Sequence, residues 1–360
     1  MSQPDLRERA ERCYDKIAAL VSGPVSLMEV CGTHTMAISR FGIRARVPET
    51  LRLLSGPGCP VCVTPASQID HLMAMAREPG VIVTTFGDML RVPGSKSSLE
   101  QERTRGSDIR VVYSPHDAME IARAAPDRIV VFMGVGFETT SPTIAATMIK
   151  ALAAGIGNFC VYPAFKVVPP AMDALVASGE TRIDGFICPG HVSTIIGSAA
   201  YEPIARDRKV PCVVTGFEAL DVLEGVILLL EQRAAGKAEV QVQYRRAVSP
   251  EGNRTALDIL SRTFTPCDAA WRGIGVIPGT GLEPREEFLS MDARRRVQVE
   301  MPKDAVDLPA GCGCGEVMRG LKVPTECAMF GTACTPSRPI GPCMVSTEGA
   351  CAAWYRYGRG

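Results

Sequence analysis

Fourteen cysteines in 360 residues are the first chemistry this sequence offers, and many of them cluster. Six fall within forty residues near the C-terminus: Cys312, Cys314, Cys327, Cys334, Cys343 and Cys351. The segment around them is rich in Gly and Pro, buries little apolar surface, and needs a cross-link to hold a shape. Disulfides are rare in large chains of reducing compartments. No histidine lies beyond His191, so a metal site here is all-thiolate, which means zinc or an iron–sulfur cluster. Structural zinc usually takes paired C-x-x-C knuckles, which the segment lacks. Wide, uneven spacings suit a cubane gripped from several loops.

A second group is Cys59-Pro60-Val61-Cys62, followed by a helical pattern. A C-x-x-C at a helix start places its first thiol at the positive dipole end, which favours thiol–disulfide exchange. The rival readings are a structural turn, or half of a zinc site completed by Cys31 and His34. The third group is Glu29-Val30-Cys31-Gly32-Thr33-His34. Cys31 ends an apolar run, Gly32 permits close approach, and His34 follows, so the cysteine can be a nucleophile or a metal ligand. Two of the four histidines, His34 and His191, occupy glycine loops of this kind. Asp88, Glu138 and Glu218 end further strand loops, where they can relay protons or simply stabilise a helix start. Near Glu138, Ser141 reads as the N-cap and Pro142 as the first helical residue, leaving the carboxylate upstream. Cys13, Cys160, Cys188, Cys212 and Cys267 stand alone in apolar contexts and read as small buried hydrophobes.

The elements that must position these groups alternate. Residues 4 to 22 carry Leu6, Ala10, Cys13, Ile17 and Leu20 at helical spacing. Strands are expected at Val25–Val30, Leu51–Leu54, Val81–Phe86, Arg110–Tyr113, Ile129–Met133, Phe159–Tyr162, Phe186–Cys188 and Cys212–Val214. Helical patterns lie between them at Ala66–Arg77, Asp117–Ala124, Thr143–Ala154, Ala171–Ala177 and Leu220–Arg233. Alternation with near-continuous Val/Ile runs argues a parallel α/β architecture. Six Gly/Pro-rich loops would then share the carboxyl edge, where such proteins place their sites. Gly-Phe-Glu occurs at 136 and at 216, which hints at two similar halves. The expected organisation is an α/β domain over 1–125, a second over 126–245, and an irregular cysteine-rich unit over 246–360. Two Rossmann-like parallel-sheet domains plus a small iron–sulfur unit is the fold class.

Lys plus Arg and Asp plus Glu number 39 each, which excludes the basic footprint of a nucleic-acid binder. The first residues lack the apolar core of a signal peptide and no apolar stretch is long enough for a bilayer, so a cytoplasmic chain is expected. Walker A, G-x-S-x-G and G-x-G-x-x-G fingerprints are absent.

Taken together, the motifs resemble the HypD family of hydrogenase-maturation proteins. The stretches that carry the resemblance include Met28 to His34, Gly56 to Pro65, Thr85 to Ser95, Gly136 to Thr140, Pro163 to Lys166, Gly190 to Ser193 and Glu348 to Ala353. They run in order across about residues 25 to 357. The resemblance implies a [4Fe-4S] cluster on Cys312, Cys327, Cys334 and Cys351, separated by fourteen, six and sixteen residues; Cys314 or Cys343 could replace one of them. It implies that Cys59 and Cys62 exchange electrons with the cluster as a dithiol–disulfide pair. It implies that Cys31 ligates the transient Fe(CN)2CO iron together with the small chaperone HypC, with HypE docking on that complex. Cys31, His34, Cys59, Cys62, Glu138 and His191 are the candidate working residues. Two functions stay open: a redox assembly scaffold, or a cysteine-dependent redox or transferase enzyme acting on a small molecule.

Overall fold

A computed structural model describes residues 3–300 and 304–358. The strands in chain order are β1 (Val25–Glu29), β2 (Leu51–Ser55), β3 (Val81–Thr85), β4 (Ile109–Val111), β5 (Ile129–Gly136) and β6 (Phe159–Phe165). They continue with β7 (Gly185–Pro189), β8 (Cys212–Thr215), β9 (Val240–Val242), β10 (Phe264–Trp271) and β11 (Gly275–Pro284). All eight expected strands are present. β3, β6, β7 and β8 are buried along their whole length, as strands covered on both faces must be, and this is why they read as apolar runs.

Two parallel sheets result. The first has the order β2-β1-β7-β8-β9 and the second β4-β3-β5-β6. β1 pairs with β7 through Leu27↔Gly185 and Met28↔Phe186. The chain therefore leaves the first sheet after β2, builds the second from β3 to β6, and returns to complete the first. Strand pairing crosses the boundary expected at 125, which falls between β4 and β5 inside the second sheet. Parallel strands need long crossovers, so no local pattern reveals which strands will become neighbours.

Helices cover both sheets. The first, Gln3–Leu20, buries Ile17 completely against the Ala219–Ala234 helix and is pinned there by Lys16–Glu231 at 2.6 Å, while Leu6 stays 42% exposed. The helix after Glu138 starts at Ser141, with Thr140 as its N-cap, one residue earlier than expected.

The unit after residue 245 is less irregular than its composition suggests. β10 and β11 form an antiparallel hairpin with an irregularity between Cys267 and Ala269. This hairpin bridges the carboxyl edges of the two sheets. Trp271 stacks on Phe137 beyond β5, the Arg272 amide donates to the Val63 carbonyl at 2.8 Å, and the Val167 amide donates to Thr280 O at 2.9 Å. The cysteine-rich end holds only short helices, of which Ala350–Tyr357 is the longest at 8 residues. Among the described residues no helix is long and apolar enough to cross a membrane.

Candidate functional site

Four loops leave the carboxyl ends of β1, β2, β7 and β8; hydrogen bonds join the β1 loop to those of β2 and β8, and ring stacking adds that of β7. The Gly32 amide donates to Gly58 O at 2.8 Å, and the Gly56 amide to Glu29 O at 2.7 Å. A Cβ on Gly58 would lie 2.1 Å from the Cys31 nitrogen, so only glycine lets the two loops approach. The expected six loops divide: Phe86–Asp88 and Gly136–Glu138 belong to the second sheet.

Cys31 is the N-cap of the helix Gly32–Arg40. The amides of Thr33 and His34 face its sulfur without closing a hydrogen bond. Burial dominates and pushes the thiol up to about 12, which favours its protonated form. Beneath it lies Glu29, fully buried. Its Oε2 accepts from the Cys31 amide at 3.0 Å and its Oε1 from the Thr35 hydroxyl at 2.5 Å. Burial nevertheless raises its carboxyl to about 7.

His34 does not point at the sulfur. Its Nε2 meets Gly216 O and Thr215 Oγ1, both at 2.9 Å, and burial lowers it to about 4. The imidazole is neutral and ties β1 to the loop after β8. The expected tuning of Cys31 by this ring has no hydrogen bond to act through. The ring of Phe217 stacks on His34 at 4.7 Å and on His191 at 4.0 Å, which gathers both glycine-loop histidines around one aromatic ring. Glu138 lies at the other sheet. Its Oε1 accepts from the Val168 amide at 2.9 Å, its Oε2 is buried without a partner, and burial raises it to about 7.

Cys59 and Cys62 are joined as a disulfide across the N-cap of the short helix Pro60–Val63. With the pair oxidised, Cys59 and Cys62 offer no thiolates to the Cys₃His zinc reading. The Cys62 sulfur lies 3.8 Å from Pro342 O. The next residue, Cys343, is buried with its thiol against those of Cys314 and Cys351. Those two belong to a small cavity lined by Cys312, Cys314, Cys327, Cys334 and Cys351 with Met329, Phe330 and Met344. All four expected cluster ligands are therefore together, with Cys314 as a fifth thiol. Cys343 is not among the lining residues. A Cβ on Gly341 would lie 2.6 Å from both Cys312 and Cys314 sulfurs, so the thiols pack on bare backbone. Soft donors in an apolar setting fit a thiolate-bound iron–sulfur cluster. Among the described residues no three His, Cys, Asp or Glu side chains stand ready to chelate a single ion.

A family model for HypD, described as the hydrogenase formation hypA family, matches residues 8–358. The chain belongs to the HypD family. The hydrogenase maturation factor HypD of Azotobacter vinelandii is 46% identical over 340 residues, covering 92% of this chain and 89% of that one. HypD of Escherichia coli is 43% identical over 353 residues, 98% and 93% of the two chains. A putative hydrogenase expression/formation protein of Methanocaldococcus jannaschii is 41% identical over 359 residues, 99% of each.

Three site residues carry no role in the sequence reading. Glu348 accepts from Thr33 Oγ1 at 3.0 Å and covers Gly32, where a Cβ would lie 2.5 Å from its own Cβ. It thus presses the cysteine-rich end onto the Cys31 loop. Arg272 is buried beside the Val63 carbonyl. Glu29 alone had a visible signal, since a carboxylate closing a buried strand needs partners.

Proposed function

We propose that this HypD-family protein is a hydrogenase-maturation factor: a redox scaffold on which, with HypC and HypE, the Fe(CN)2CO unit of [NiFe]-hydrogenase is assembled. One observation carries the reading. Sulfur sites follow one another from the Cys31 loop, hydrogen-bonded to the Cys59–Cys62 loop, through Pro342–Cys343, to the cysteine cavity. In this reading Cys312, Cys327, Cys334 and Cys351 hold a [4Fe-4S] cluster, which supplies electrons singly when bound. Two electrons and two protons convert the Cys59–Cys62 disulfide to two thiols. Cys31 receives the substrate iron as a thiolate, its buried proton leaving as the metal binds. Gly58 lets the disulfide loop pack directly on the Cys31 backbone, and Gly32 lets Glu348 close over the same loop, which fixes the thiol that would receive the iron. His34 and His191, stacked on Phe217, shape the wall of this approach.

The alternative, an enzyme with Cys31 as attacking nucleophile, asks for a thiolate at rest. Burial of Cys31 pushes the other way.

Infrared spectroscopy of the purified complex with HypC tests the proposal. Wild type is expected to show cyanide and carbonyl stretches, and Cys31→Ser to lose them while circular dichroism and iron–sulfur absorbance stay unchanged. A serine variant with a full set of bands would remove Cys31 from the role.

A further inference from the structure

Arg272 is fully buried, yet no carboxylate is hydrogen-bonded to it. Its Nε donates to Asp307 O at 2.5 Å and its amide to Val63 O, while its Nη1 is buried without a partner. The Asp307 carboxylate is the first counter-charge facing it, but it is not bonded to the guanidinium and accepts from the Ala66 amide at 2.8 Å. A buried cation with no carboxylate bonded to it is costly, so further counter-charge has to be found nearby. The other charges facing it come from Cys314, Cys343 and Cys312. Backbone contact fixes this placement: a Cβ on Gly315, next to Cys314, would lie 2.5 Å from the carbonyl of Gly273, next to Arg272. The backbone at Arg272 and Gly273 thus lies against both the helix of the disulfide and the segment of Cys314.

We propose that Arg272 is the charge-compensating residue of the cysteine cavity, holding a cluster bound there at a less negative reduction potential than its thiolates alone would set. The inference rests on the cluster reading above. Four thiolates around a cubane give a net negative charge. One electron from an external donor makes it one unit more negative, with no bond made or broken. A permanent cation in a poorly screened interior stabilises the reduced form more than the oxidised one. The Arg272 backbone amide also touches Val63, one residue beyond Cys62, so the residue that carries the charge adjoins the disulfide helix.

The test is a redox titration of the anaerobically purified full chain with dithionite, followed by electron paramagnetic resonance, with iron and sulfide measured alongside. Arg272→Gln removes the charge and is expected to shift the potential to more negative values at unchanged iron and sulfide. Arg272→Lys is expected to restore most of the wild-type value. Asp307→Asn keeps an oxygen for the Ala66 amide but unmasks the cation, and is expected to shift the potential the opposite way. Equal potentials in wild type and Arg272→Gln would overturn the proposal. If the glutamine variant does not fold, an Asp307→Asn potential at or below wild type would overturn it. Wild type without iron and sulfide would instead refute the cluster reading itself.

Discussion

The two Gly-Phe-Glu loops occupy equivalent places, past the carboxyl ends of β5 and β8, and serve different ends. Beyond β8, Phe217 is half-buried between two histidines and Glu218 is exposed at the start of the Ala219–Ala234 helix. Beyond β5, Phe137 is buried against Trp271, and Glu138 reaches across to the first amide of the Val168–Ser178 helix. The difference follows from what lies over each edge. The hairpin β10–β11 closes the second sheet, so its triplet became core and clamp. The first sheet is left to the Cys31 and Cys59–Cys62 loops, so its triplet forms the wall of a site. A three-residue motif has no fixed role apart from the surface packed on it.

The largest effect should come from Phe137→Ala. Truncating a buried phenylalanine costs about 3–5 kcal/mol, and here it also removes the stack that seats the hairpin. Chemical denaturation should show the loss. A cost under about 1 kcal/mol would mean that the hairpin is held without Phe137, and the two edges would differ less than argued.

Glu138→Gln should act through pH. Its folded carboxyl titrates near 7 against 4.5 in the unfolded chain, because burial disfavours the charge. Between those values the folded state binds more protons, so this group's stabilising contribution is full below pH 4.5 and is lost as pH rises to 7. The glutamine keeps an oxygen for the Val168 amide and should remove that slope, worth up to about 3 kcal/mol. His34 runs the other way: its depressed value favours folding above pH 6.5, a contribution lost as pH falls toward 4. Urea unfolding at pH 5, 6 and 7 decides it, and parallel curves for wild type and variant would show that Glu138 ionises normally.

These cases also show what the sequence makes legible. Strands β1 to β8 are readable because buried parallel strands are written as Val/Ile runs. β9 is only Val-Gln-Val at a sheet edge, and β10–β11 carry Pro266, Asp268, Gly275 and Gly279, which read as loop. The pairing of β1 with β7 has no local trace, since partners such as Leu27 and Gly185 lie 158 positions apart. The nearness of Cys31 to Cys59–Cys62 follows from glycine-rich loops on one edge. The contact of Glu348 with Thr33 and the burial of Arg272 do not, because a single charged residue in an irregular segment looks like surface.

Phe217→Ala should cost less stability than its counterpart, about 1–2 kcal/mol, because the ring is only partly buried. Its consequence should be local. Without the shared ring, His191 loses its anchor while His34 keeps Gly216 and Thr215. The nuclear magnetic resonance signals of the two rings should therefore diverge, with His191 broadened or moved and His34 nearly unchanged. Equal displacement of both would make Phe217 a core residue like Phe137 and erase the contrast.

Glu218→Ala should do least. The side chain is exposed and Glu is a poor N-cap; the capping carboxylate is that of Asp221, which accepts from the Glu218 amide at 3.3 Å and is itself held by Arg246 at 2.6 Å. Alanine retains that amide, so the helix start survives and the cost should stay within about 0.5 kcal/mol. Were Glu218 instead a proton relay at the thiol edge, its loss would leave stability intact but weaken the cyanide and carbonyl bands proposed above for a complex with HypC. Measuring the melting temperature and the infrared bands on one preparation separates the two cases. Unchanged bands are expected, because the aromatic face and the fixed thiol loops shape this edge, and the carboxylate of the triplet turns to solvent.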